Sequence, residues 1–116
     1  MGSHAPRIDR DRALVNRGEI WWAEHPDVGR RPYLILTREA AIPVLSGLVV
    51  AQISRTVRGI RTEVALDTDD GMPEPCAASF DNILTIPKWS LTERISQLSL
   101  ARLHEVCRAL RTATGC

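Results

Sequence analysis

Cysteine is scarce in this chain of 116 residues: there are three, Cys76, Cys107 and Cys116. An odd number with no CxxC spacing supports neither a disulfide framework nor a zinc knuckle, and it points to a reducing, cytoplasmic setting. Long apolar runs are missing too. No stretch reaches the roughly eighteen residues of a membrane span, and the opening lacks the apolar segment of a secretory leader, so nothing is expected to cross a membrane. A strong net charge is also absent, with 15 Lys and Arg against 14 Asp and Glu. What remains is the composition of an ordinary soluble protein, 44% hydrophobic and 25% charged,. That length suits a single core. The polar opening, MGSHAPRIDRDRAL, is excluded from it. We expect a flexible N-terminal extension over 1–14 and one domain over 15–116.

The near-zero net charge hides a segregation. Between Arg30 and Arg61 stand Arg30, Arg31, Arg38, Arg55, Arg58 and Arg61 against the lone Glu39, whereas Glu63, Asp67, Asp69, Asp70, Glu74 and Asp81 follow with no cation among them. One stretch is therefore suited to a polyanion although the whole chain is nearly neutral.

In chain order, RGEIWWAE reads as a strand with Ile20 and Trp22 on one face and Trp21 and Ala23 on the other. HPDVGRRP reads as loop, and the second strand is expected over Tyr33 to Thr37. LVVAQIS, Leu48 to Ser54, reads as a buried strand. A basic turn centred on Gly59 then leads into a return strand over Thr62 to Leu66, which predicts a hairpin with the strand before it. DTDDGMPEP reads as a solvated loop; it misses the Gly and Glu places of a calcium-binding EF-hand loop. Cys76 to Phe80 and Ile83 to Ile86 read as short strands with Asp81 and Asn82 between or within them. Pro87 opens a brief helical turn, KWSLTER. Ser99 can cap a terminal helix whose Leu100, Leu103, Cys107 and Leu110 form an apolar stripe, ended by Gly115. Short strands followed by one amphipathic helix describe a mostly β, α+β fold: a small, partly open barrel with the helix laid across it.

Two features carry chemistry. Pro32 has no ladder donor and biases Arg31 towards extended backbone, which partly fixes the direction of its guanidinium. That planar fork matches two phosphate oxygens and stays charged at any working pH, although a rim arginine could equally pair with the acidic loop. Ser54, at the end of the third strand beside Arg55 and Thr56, offers a hydroxyl to the same anion or simply terminates its strand.

RGEIWW, GRRP before an apolar strand, VVAQIS, FDNILTI and a closing helix together resemble the MazF/PemK family of toxins from bacterial toxin–antitoxin pairs, from about Arg17 to Cys116. The resemblance implies an SH3-like barrel with a terminal helix, active as a homodimer. It also implies metal-independent, sequence-specific cleavage of single-stranded RNA, with attack by the ribose 2′-hydroxyl leaving a 2′,3′-cyclic phosphate and a 5′-hydroxyl. No cofactor is implied. The family's catalytic arginine falls on Arg31 and its strand-end hydroxyl on Ser54, where Ser replaces Thr, with Thr56 the neighbouring alternative. The 2′-hydroxyl must lose a proton while the phosphorane gains charge. Arg31 is read as a clamp on that charge, Ser54 as a second donor, and His25 as a candidate proton shuttle or an exposed loop residue. Arg30, Arg55, Thr56, Arg58 and Arg61 would hold RNA phosphates, the alternative being a solvated hairpin tip. Trp21, Trp22 and Trp89 are stacking candidates, with core or dimer packing the alternative for at least two of them, while Asp81 and Asn82 would read base edges, orient the loop carrying Arg31 or cap a turn. A cognate MazE-like antitoxin is implied, whose acidic tail occupies the same groove. The competing reading is a non-enzymatic poison on the same fold, such as CcdB, which acts on DNA gyrase; those poisons lack the arginine and hydroxyl as a pair.

Overall fold

The computed structural model describes residues 14–116, so the expected N-terminal extension lies outside the described residues except for Leu14. Six strands are present: β1 Glu19–His25, β2 Gly29–Ile35, β3 Gly47–Ser54, β4 Glu63–Leu66, β5 Cys76–Pro87 and β6 Leu91–Gln97, followed by helix α1, Leu100–Thr114. They form one antiparallel sheet in the order β4-β5-β3-β2-β1-β6. The sheet curls into a half-barrel with α1 against one face, as expected for the fold class.

Alternation along the strands builds two cores. Ile20, Leu34, Ala51, Val64 and Phe80 pack on the face that meets Leu103, Val106 and Ala109 of α1. Trp21, Tyr33, Ile35, Val50 and Leu91 fill the opposite face. The RGE element earns its place at the start of β1. Gly18 has a φ of +88°, a backbone conformation that favours glycine, and it lies against α1, where a Cβ would press on the Leu103 methyls at 2.9 Å,. Glu19 is buried at 1% exposure. Its carboxylate accepts hydrogen bonds from Asn16 N (2.8 Å), Trp21 Nε1 (3.0 Å) and Arg94 Nη1 (3.1 Å), which satisfies a charge in the core,.

Several expectations are corrected. The hairpin between β3 and β4 does not form: β5 lies between them and pairs with both. The reason is the length of β5, a single 12-residue strand through Asp81 and Asn82 whose register with β3 slips between Ala51 and Gln52, so one stretch serves two partners,. KWSLTER holds only a 3-10 turn at Lys88–Ser90 before β6, whose charged outward residues disguised an edge strand,. Leu103 and Leu110 of the expected stripe pack on the core, but the seam of α1 is centred on the buried Val106 and Ala109, and Leu100 is 71% exposed. Ser99 caps that helix through a bond from Arg102 N, and Gly115 ends it at φ +75°,.

The acidic loop is also more ordered than expected. Thr68–Asp70 makes a 3-10 turn closed by a reciprocal capping box between Asp67 and Asp70,. Arg102 of α1 then ties this turn down. Its Nε lies 2.9 Å from Asp70 Oδ1, its Nη1 2.9 Å from Glu105, and its Nη2 donates to the Ala65 carbonyl of β4. Ser96 Oγ of β6 donates to the Asp70 carbonyl, so the turn bridges the two edges of the open sheet. The Arg102 guanidinium holds the Asp70 carboxyl below its ordinary value, a backbone bond from Asp67 adding to the effect against the opposing pull of burial. A depressed folded value means stability that is present above the carboxylate range and lost as pH falls through it. Asp70→Asn is therefore expected to cost about 2 kcal/mol at pH 7. That gap to wild type should narrow below about pH 4 in urea titrations run at both pH values.

Candidate functional site

β1 and β2 are joined by a tight turn, Pro26 to Val28, and Gly29 enters β2 at φ +78°. Arg30 and Arg31 are thus inside the second strand rather than in a loop before it, with Arg31 opposite Ala23 and Pro32 opposite Trp22. Pro32 decides what happens on the other side. The ladder between β2 and β3 begins only at Tyr33 and Gln52, one residue beyond the missing donor, while β3 runs on to Ser54 paired with β5 alone,. The two strands part there and leave a cleft.

That cleft is a cavity of about 440 Å³, a size that admits a ligand,. Five sequence candidates line it: Trp22, Arg30, Arg31, Ser54 and Arg55. The Arg30 guanidinium lies 4.3 Å from the Trp22 ring centroid and 3.2 Å from Glu93, so it is held in a stack and an ion pair,. Arg55 Nε stands 3.6 Å from Glu74. Arg31 is exposed and makes no ion pair with the described residues, which leaves its fork open to an incoming anion. Ser54 Oγ accepts a bond from Thr56 N at 3.0 Å, so its own hydrogen remains to donate,. Cys76, on the same lining, is buried; burial pushes its thiol up, with Asp70 and Glu74 adding to the shift, and it stays protonated near neutrality,.

The remaining candidates lie elsewhere. Thr56 is exposed outside the cleft lining. Arg58 is drawn to Glu63, and Arg61 lines a surface hollow against Glu105 and Arg108 of α1. Asp81 accepts from Thr62 Oγ1 at 2.5 Å, which ties β5 to the entry of β4, and Asn82 donates to Ser79 Oγ at 3.0 Å within β5. His25 ends β1 and lines a second cavity, of about 520 Å³, behind Arg31. Its ring stacks on Trp89 with centroids 5.5 Å apart, and its Nδ1 accepts from Asp27 N at 3.1 Å. Sequence reasoning missed Gln52, which lines both cavities with Arg31, and Glu74, the sole carboxylate on the first one. Gln52 was legible only as one place in an apolar strand, and Glu74 only as part of an acidic loop.

Residues 16–114 match the PemK-like, MazF-like toxin of type II toxin–antitoxin systems. The chain belongs to this family. Within it, the chain is 43% identical to the probable endoribonuclease MazF2 of Mycobacterium tuberculosis over 103 residues, 88% of this chain and all of that one. The structure resembles the Mycobacterium tuberculosis toxin MazF-mt6 at a TM-score of 0.77, with 37% identity over 84% of this chain and 96% of that one. It also resembles an endoribonuclease from a mycobacterial species solved in complex with its cognate antitoxin, at a TM-score of 0.79 and 26% identity, covering 88% and 96%. The match to the family spans every element described above, from the Glu19 cluster to the end of α1. Among the described residues no helix is long and apolar enough to cross a membrane.

Proposed function

We propose that this protein is the endoribonuclease toxin of a toxin–antitoxin pair, a single toxin domain over residues 15–116 that cuts single-stranded RNA in the cytoplasm and so arrests translation and growth. The observation that carries the reading is the cleft opened at Pro32, where Arg31 without a described ion-pair partner and the Ser54 hydroxyl line one cavity. It is supported by the family and by relatives named as endoribonucleases.

In the reaction a ribose 2′-hydroxyl attacks the adjacent phosphorus, the 5′-oxygen leaves, and a 2′,3′-cyclic phosphate remains. Arg31 spans two non-bridging oxygens and holds the charge that builds on the phosphorane, while Ser54 donates a further bond. Arg55 and Arg30 steady the neighbouring phosphates, and His25, behind Arg31, moves the proton. The positive charge this transition state needs is thus supplied by side chains. The active form is a homodimer, and an antitoxin with an acidic, disordered tail silences it by filling the same cleft and folding there.

The test is incubation of the purified protein with a long single-stranded RNA in excess EDTA, with the new ends mapped. Cuts at a short repeated motif that leave cyclic phosphate establish the activity. Intact RNA with folded protein returns the family's fold to a non-enzymatic role such as that of a gyrase poison.

Glu74 gives a further prediction. It places a negative charge in a cavity built for an anion and holds Arg55 in an exposed pair. Glu74→Gln removes that competition, so RNA should bind about 2- to 5-fold more tightly at low salt. The gain should fade as screening increases, which titrations at two ionic strengths will read.

A further inference from the structure

Arg31 and Gln52 line both cavities, so they form the ridge between them. A phosphate clamped on that ridge has one flanking nucleotide on each side. The first cavity is lined by three arginines and suits the charged backbone. The second differs in kind: Val28, Tyr33, Leu84 and Ile86 give it apolar walls, Thr85 and Ser90 add uncharged polar groups, and its charged groups are Arg31 of the ridge and the exposed Asp27. Such a hollow suits a flat, neutral ring with a polar edge.

We propose that this second cavity is a nucleobase subsite, in which the base adjoining the scissile phosphate lies against His25. The inference rests on the endoribonuclease reading and names where that substrate's base goes. Trp89 is 55% exposed, unusual for a side chain that could have been buried, and its ring backs that of His25 at an interplanar angle of 27°. The bond from Asp27 N to Nδ1 fixes the imidazole at the end of β1. An aromatic face is therefore held at the cavity rim, the arrangement by which unpaired bases are gripped with little regard to the backbone. Gln52, on the same ridge as Arg31, brings an amide donor and acceptor to the edge of the bound base. His25 and Trp89 then contribute to binding and to the choice of base next to the cut.

The test uses the full chain, with a single-stranded RNA oligonucleotide carrying a 2′-deoxy residue at the cut for binding, and a randomised RNA pool for cleavage mapping. His25→Ala and Trp89→Ala should each weaken binding of the deoxy-substituted strand, His25→Ala by about 5- to 100-fold. His25→Phe, which keeps an aromatic ring and removes the imidazole nitrogens, should bind like wild type. In the pool, Trp89→Ala, which leaves the proton-moving imidazole in place, should relax base preference at one position beside the cut. The subsite is overturned if His25→Phe binds as poorly as His25→Ala, or if both alanine variants bind as wild type does and Trp89→Ala chooses bases as wild type does. A change in sedimentation with binding intact would likewise overturn it, by assigning the surface to a second copy of the chain. Wild type that binds the deoxy strand but leaves RNA uncut refutes the nuclease reading while the binding arm still judges the subsite. Wild type that binds no strand refutes both.

Discussion

Arg31→Ala is expected to lower the single-turnover cleavage rate by about 100- to 1,000-fold, the usual effect of deleting one donor to a developing oxyanion. The fold should not notice. Arg31 is exposed, belongs to neither core and makes no ion pair with the described residues, so melting curves of the variant and wild type should superimpose. Arg31→Lys should recover little of the rate, because a single ammonium cannot span two phosphate oxygens as the planar fork does. The measurement is a time course on one labelled RNA at enzyme excess, with circular dichroism as the control. A folded Arg31→Ala that still cuts at the wild-type rate would remove the clamp from the mechanism and leave Ser54 and Arg55 to explain it.

Glu19→Ala should have the largest effect on stability, about 3–5 kcal/mol. The carboxylate is enclosed by Asn16, Trp21 and Arg94. Its loss strands the Trp21 indole N–H inside a core and frees Arg94, so the penalty is that of unpaired groups rather than of one missing bond. Against a stability of about 5–15 kcal/mol for a domain of this size, such a loss leaves a sizeable unfolded fraction at 37 °C. Glu19→Gln keeps the volume and an acceptor for Trp21 while giving up the charge, and should cost less than half as much. Urea unfolding of the three proteins will rank them. An alanine variant within about 1 kcal/mol of wild type would show that water replaces the carboxylate at that end of the sheet.

The sequence made Arg31 legible because proline acts locally: its fixed φ and missing donor bear on its own neighbours, and the gap between β2 and β3 follows from that one residue. Ser54 was legible for a similar reason, as the polar stop of an apolar strand. What failed depended on partners far along the chain. Strand pairing is not written in the residues of either strand, so β4 was assigned to the nearer β3 when β5 had taken the place between them. β6 presents Glu93 and Arg94 outward and reads as a turn unless Trp21 and Trp22 are known to lie opposite. On α1, two overlapping apolar stripes share Leu103, and only the docking of Val106 and Ala109 against the sheet selects the buried one. The second cavity was out of reach for the same reason, since it joins Tyr33 to Leu84 through the register of three strands.

Arg102 gathers Ala65, Asp70 and Glu105 to one guanidinium, and two residues beyond Asp70 begin Met72, Pro73 and Glu74, a wall of the first cavity. The contacts to Ala65 and Asp70 each close a loop of more than thirty residues, which must be brought together before they are rewarded,. Residue 102 also leaves the ribosome well after the arginines of β2. The turn that leads into this wall is therefore expected to be anchored only once α1 has docked.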